Sequence, residues 1–156
     1  MTDISVRRAT LADAETMSII LIRSITELCG DDHHRDAATI AGWTANKTPA
    51  GVAGMLANPE MTIFVAERAD FIAGVGAIDR AGRIRLNYVS PDHRFAGVSK
   101  ALLAAMEAEL CERGIDIARL ESTTTAHRFY RAAGWVDAGT PDRSGAVIGY
   151  PMQKRL

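Results

Sequence analysis

Arg94, Gly97, Ser99 and Lys100 lie together where a β-rich run ending near Val89 and Pro91 gives way to a stretch of helical apolar spacing. Residues of these types at a helix start can hold a phosphate. The first N–H groups of a helix have no partner within it, the helix dipole is positive there, and a glycine lets an anion approach the backbone. Loops of this composition also join strands to helices in proteins that bind no phosphate. A second chemical group follows in residues 120–135, Leu-Glu-Ser-Thr-Thr-Thr-Ala-His-Arg-Phe-Tyr-Arg-Ala-Ala-Gly-Trp. There a strand-like run ends in hydroxyl residues, and a short helical segment carries Phe129 and Tyr130 before Gly134. The Tyr130 phenol can serve as a proton donor, or pack beside Phe129 with its hydroxyl on a backbone carbonyl.

In order and separation the two segments resemble the GCN5-related N-acetyltransferase (GNAT) family. The family's acyl-CoA loop, Gln/Arg-x-x-Gly-x-Gly/Ala, is matched by Arg94-Phe95-Ala96-Gly97-Val98-Ser99, with serine at the last small position. Its next motif, Asn-x-x-Ala-x-x-Phe-Tyr and then Gly-Phe, is matched by Thr123, Ala126, Phe129 and Tyr130 and then Gly134-Trp135, with threonine in place of asparagine. The resemblance runs over residues 4–156 and implies one acetyltransferase domain over 1–156. It implies an α/β (α+β) fold with a mixed, mostly antiparallel central sheet of about six to seven strands and helices on both faces. It also implies acetyl-CoA as co-substrate, no metal, and direct transfer to a primary amine of a small molecule or peptide in a ternary complex. The cofactor would meet Tyr88, Val89, Arg94, Phe95, Ala96, Gly97, Val98, Ser99, Lys100, Thr123, Ala126 and Phe129, with the Val89 N–H at the thioester oxygen. Tyr130 stands where the family places the acid that protonates the leaving thiolate. Cys29, Asp32, His33, Trp43 and Asn87 fall on the acceptor side of the cleft. A homodimer is left open.

Acyl transfer to an amine has a further need. An amine of pKa ~10.4 is neutral about once in 2,500 molecules at pH 7, a handicap of roughly 4.6 kcal/mol, so a base or a less basic amine is required. Glu121, at the end of a strand beside the expected cleft, is the first candidate. Asn87, Tyr88 and a water held by Ser122 are others, and Glu121 can equally be a surface carboxylate paired with Arg119. The run Asp31-Asp32-His33-His34-Arg35-Asp36 has metal-ligand side chains, but neighbours in sequence point in different directions. A solvated connection between helices explains it, while Asp or His over the acceptor side would favour a cationic amine. Trp43 can equally anchor the core.

Composition narrows the alternatives. The 156 residues are 47% hydrophobic and 24% charged, enough for one core, and a net charge of −1 removes the electrostatic case for a nucleic-acid binder and disfavours an acetyltransferase acting on charged tRNA, for which Arg7, Arg8, Lys154 and Arg155 would have to form a local patch. The first residues lack the apolar core of a signal peptide, and no apolar run is long enough to cross a membrane, so a cytoplasmic location without a membrane partner is expected. Gly-x-Gly-x-x-Gly is missing, which disfavours a dinucleotide fold. A noncatalytic acyl-CoA-binding module would keep the loop but tolerate loss of Tyr130.

The elements expected to hold these residues are a strand over 4–8, then a helix opened at Thr10 and ended by Gly30. Short helices around 37–44 and after Thr48-Pro49 come next, followed by antiparallel strands over 61–67, 71–78 and 83–89. A helix over 97–113 stops at Gly114, and a strand over 115–122 lies parallel to the one before. A last strand over 146–153 closes the sheet.

Overall fold

Continuous runs of apolar and small residues, buried on both faces of a sheet, build the centre of the molecule, which a computed structural model describes over residues 3–156. Met1 and Thr2, counted in the expected domain, lie outside the described residues. Strands β1 (Ile4–Arg8), β2 (Met61–Arg68), β3 (Phe71–Asp79) and β4 (Arg83–Val89) form an antiparallel meander. Strand β5 (Ile117–Ser122) runs parallel to β4, and β7 (Tyr150–Arg155) and the two-residue β6 (Val136–Asp137) complete the order β1-β2-β3-β4-β5-β7-β6. The sheet is mixed and mostly antiparallel, as expected. Its outer edge differs from expectation: the last strand begins at Tyr150, and β6 lies outside it. Residues 146–149 instead close a loop that Gly149 ties to Asp142 by two backbone hydrogen bonds of 2.7 and 2.9 Å.

Helix α1 (Ala14–Leu28) follows a 3-10 turn, Leu11–Asp13, whose start Thr10 and Asp13 fix by a reciprocal capping box. It stops at Leu28, two residues before Gly30, because Cys29 leaves helical geometry at φ −101°, ψ 33°; Gly30 instead opens α2 (Gly30–His33). Helices α3 (Ala37–Thr44) and α4 (Pro49–Ala57) are capped by the Asp36 carboxylate and the Thr48 hydroxyl. Met17, Leu21 and Val52 of α1 and α4 bury against Ile63, Val65 and Val75 on one face of the sheet. On the other face lie α5 (Val98–Glu112) and α6 (His127–Ala132), with Leu102, Met106, Tyr130 and Trp135 in the core. Helix α5 approaches closely because β3 carries glycine beneath it. A Cβ on Gly74 would sit 2.7 Å from Val98 Cγ1 and 2.9 Å from Leu102 Cδ1, so a side chain there would push the first turns of α5 off the sheet.

Two irregularities in β4 shape its free end. Its pairing with β5 is confined to Arg83↔Arg119 and Ile84↔Leu120, so beyond those residues the strands part. A bulge also leaves Arg85 unpaired, since Ala77 faces Leu86 while Ile78 faces Ile84. In a regular strand Ile84 and Leu86 would share a face; here Ile84 packs with α5 and Leu86 with α1. The bulge therefore sends Tyr88 toward the α1 face and Asn87 toward α5.

Candidate active site

The parted strands open a cleft of about 200 Å³ lined by Asn87, Tyr88 and Val89 of β4, by Thr123, Ala126, Phe129 and Tyr130, and by Ser24, Leu28 and Cys29 of α1 and its end. Ser90 N–H donates to Ala73 O on β3 at 2.7 Å. N–H groups of successive strand residues point to opposite edges, so the Val89 N–H faces the gap.

At one end the cleft meets the loop into α5; Arg94, Ser99 and Phe129 line both the cleft and a cavity of about 240 Å³ over that loop. Pro91 to His93 form a 3-10 turn whose Asp92 N–H donates to the Ser90 hydroxyl at 3.3 Å. Phe95 (φ 60°) and Gly97 (φ 87°) are both left-handed, and Phe95 is 92% exposed beneath the Arg94 guanidinium, 4.5 Å from its ring. Gly97 is the N-cap of α5 and supplies no side-chain cap, and no acidic residue stands in the first turn. The N–H groups of Val98, Ser99 and Lys100 are left without helical partners, since the first helical bond is Ala101 N–H to Gly97 O at 3.0 Å. Neither Arg94 nor Lys100 makes an ion pair among the described residues. The loop thus offers free N–H groups, a positive dipole and two unpaired cations, a set that fits a pyrophosphate. Gly97 is needed for its backbone angle rather than for space, because a Cβ there would meet only Ile4 Cδ1 at 3.9 Å. His93, which carries no motif signal in the sequence, lines the same cavity; its Nδ1 lies 3.2 Å from the Arg68 guanidinium.

Across the gap, the Thr123 hydroxyl accepts the Ala126 N–H at 3.1 Å, so the threonine that replaces asparagine caps the turn into α6. Tyr130 is 7% exposed and held edge-on by Phe129 and Trp135, with ring centroids 5.2 and 6.0 Å away. Burial pushes its phenol up to about 12, partly offset by the Asn87 side chain. No backbone carbonyl receives its hydroxyl among the described residues. The Asn87 amide N–H donates to Ser99 O at 3.5 Å, and its buried Oδ1 has no partner.

Tyr88 and Thr123 also line a second pocket of about 460 Å³, walled by Trp43 of α3, Glu121 of β5 and the loop of residues 145–149. Glu121 is exposed; its expected partner Arg119 does not pair with it, and no ion pair involves it among the described residues. Gly149 makes room for its carboxylate, since a Cβ there would fall 2.0 Å from Glu121 Oε1. Asp32 and His33 line none of these cavities. The segment expected to be solvated is buried at Asp32 (5% exposed) and His33 (2%). Asp32 accepts the N–H groups of Thr124 (2.7 Å) and Thr125 (3.2 Å) and the Thr125 hydroxyl, bracing the loop before α6. His33 Nε2 lies 2.8 Å from Ile25 O, and its Nδ1 accepts the Arg35 N–H at 3.0 Å. A carboxylate so satisfied is a structural brace for the cleft wall. Cys29 does line the cleft, and burial, then the Asp32 charge, pushes its thiol up to about 12. No group of three or more His, Cys, Asp and Glu side chains converges as a metal site among the described residues.

The family described as "Acetyltransferase (GNAT) domain" matches residues 31–156. No curated protein matches the chain. Among solved structures, a GCN5-related N-acetyltransferase from Rhodopseudomonas palustris superposes with a TM-score of 0.88 at 22% identity, covering 100% of this chain and 98% of its own. The PaiA N-acetyltransferase from Thermoplasma acidophilum, solved with coenzyme A, gives 0.83 at 19% identity over 99% of both chains. The ribosomal-protein-S18-alanine N-acetyltransferase from Escherichia coli gives 0.67 at 16%, covering 98% and 94%. At these identities the likeness is one of fold.

Proposed function

This chain belongs to the GNAT acetyltransferase family, and from that premise we propose that it is an acetyl-CoA-dependent N-acetyltransferase acting directly on a primary amine of a small molecule or peptide. The observation that carries the reading is the parting of β4 and β5 beyond Ile84 and Leu120, with an uncapped helix N-terminus at one end of the gap and a buried phenol on its wall. Bound acetyl-CoA supplies an acetyl group activated as a thioester. The Val98, Ser99 and Lys100 N–H groups with Arg94 hold its pyrophosphate, and the walls formed by Tyr88, Phe129 and Ala126 take its pantetheine arm. The Val89 N–H hydrogen-bonds the thioester oxygen and gains strength as charge develops there. Glu121, open to solvent and unpaired, accepts the proton of the attacking nitrogen directly or through water. As the C–N bond forms and the C–S bond breaks, Tyr130 gives its proton to the departing sulfur. With the phenol at about 12 and a thiol near ~8.5, transfer to a free thiolate is uphill by about 5 kcal/mol, so the proton moves with C–S cleavage. The phenol regains its proton from solvent.

The state of Cys29 argues for direct transfer. A thiol at about 12 is almost wholly protonated at pH 7 and is a poor nucleophile for an acyl-enzyme. Cys29→Ser is expected to keep kcat within about threefold of wild type. Loss of activity together with an acetylated Cys29 by mass spectrometry would replace direct transfer by a covalent route. The cofactor assignment is tested by calorimetric titration with acetyl-CoA and desulfo-CoA: saturable binding of both is expected, and binding of neither would overturn it.

A further inference from the structure

We infer that Phe95 is the platform on which the adenine of acetyl-CoA stacks, so that the chain reads the nucleotide end of its donor as well as the thioester end. This deepens the acetyltransferase reading and rests on it. Phe95 is 92% exposed, the most exposed large hydrophobic residue among those described. Its backbone is left-handed at φ 60°, a region that disfavours a bulky side chain and that glycine would occupy freely. One face of its ring already carries a flat cation, the Arg94 guanidinium, 4.5 Å from the centroid. A ring held in this way contributes nothing to the core, and its use is to be sought in what it contacts when a ligand is bound. The cavity names the occupant. Phe95 lines the cavity of about 240 Å³ over the loop and not the cleft between β4 and β5, whereas Arg94, Ser99 and Phe129 line both. A donor whose pantetheine arm fills the cleft and whose pyrophosphate lies on the Val98, Ser99 and Lys100 N–H groups has its nucleoside left to place. Phe95 is two residues before Gly97, so their Cα atoms lie within ~7 Å of one another, beside the phosphates. The ionisable side chains on this cavity are His93, Arg94 and Lys100, with no carboxylate, which suits a nucleoside that carries a phosphate of its own. Stacking needs only an open π-face, and the ring has one opposite Arg94. A pantetheine thioester without a nucleotide would forgo this contact.

Binding tests this independently of turnover. Etheno-CoA, whose modified adenine fluoresces, is titrated calorimetrically, and acrylamide quenching of the bound ligand at saturation measures how far the base is covered. In the wild type the quenching constant is expected to fall at least about threefold below that of free etheno-CoA, because the ring covers a face of the base. Phe95→Asn tolerates the left-handed backbone but offers no ring; it is expected to return quenching to within about 1.5-fold of the free ligand and to weaken etheno-CoA about tenfold. Phe95→Tyr keeps the platform and is expected to stay within about 1.5-fold of wild type in both readouts. Acetyl-phosphopantetheine, which has no base, should bind wild type and Phe95→Asn within about twofold of each other. A bound base quenched as freely as in solution, protection unchanged in Phe95→Asn, or an equal loss of affinity for acetyl-phosphopantetheine overturns the inference and leaves the cofactor reading standing. Binding of acetyl-CoA without binding of etheno-CoA also overturns it, since the base would then be read by its edge. Binding of neither overturns the cofactor reading itself.

Discussion

Tyr130→Phe will lower kcat by about 10²- to 10³-fold while leaving the Kd for acetyl-CoA within about threefold. The ring packs against Phe129 and Trp135, and those apolar contacts survive the change. The hydroxyl has no backbone acceptor, and Asn87 Oδ1 is already unpartnered, so stability should fall by no more than about 1 kcal/mol. What is lost is the proton that the departing sulfur takes. The raised phenol gives a second readout. A group with a folded pKa of about 12 stays protonated through the alkaline range, so wild-type kcat should rise with pH as the amine and base deprotonate and show no fall near pH 10. A Phe variant with normal turnover, or a wild-type profile that falls through pH 10, would remove Tyr130 from the acid role.

The second large effect is expected from Gly97→Val, which should weaken acetyl-CoA at least about 30-fold while the protein stays folded. Gly97 sits at φ 87°, a conformation that costs a side-chain-bearing residue roughly 1–2 kcal/mol and a β-branched one more. Its Cβ would meet only Ile4 Cδ1, at an ordinary contact distance of 3.9 Å, so the strain is relieved by rotating the loop rather than by disturbing the core. Rotation turns the Val98 and Ser99 N–H groups away from the anion they would hold. Gly97→Ala, less strained, should lose less affinity. Unchanged acetyl-CoA affinity in the valine variant would show that the pyrophosphate lies elsewhere.

Much of this arrangement was legible in the residues, and the exceptions share a physical cause. Strands β2 and β3 announce themselves by apolar runs of strand length and helix α5 by its helical period, because each buries its apolar residues continuously. The loop from Arg94 to Ser99 was legible for the same reason: a left-handed glycine before an apolar helical repeat leaves a local signature. The bulge at Arg85 leaves none. It arises from the mismatch of paired strands, yet it decides that Asn87 faces Tyr130 while Tyr88 faces Trp43. Asp32 likewise reads as a surface acid, because the Thr124 and Thr125 N–H groups that bury it lie 92 and 93 residues away in sequence. Residues 146–149 read as the apolar start of a strand but serve as a pocket wall, since Gly149 pairs with Asp142 and yields its side-chain space to Glu121. Local pattern specifies elements; long-range partners specify which side chains meet.

The most direct test of the central claim is a thiol-release assay of the purified protein with acetyl-CoA, run with and without each of a panel of primary amines, amino acids, polyamines and peptides, and with the product followed by mass spectrometry. The account predicts free thiol and N-acetylated amine in equal amounts, both requiring the amine and both falling together in Tyr130→Phe. Acetyl-CoA binding with no amine-dependent release from any primary amine would contradict it and leave an acyl-CoA-binding module without catalysis.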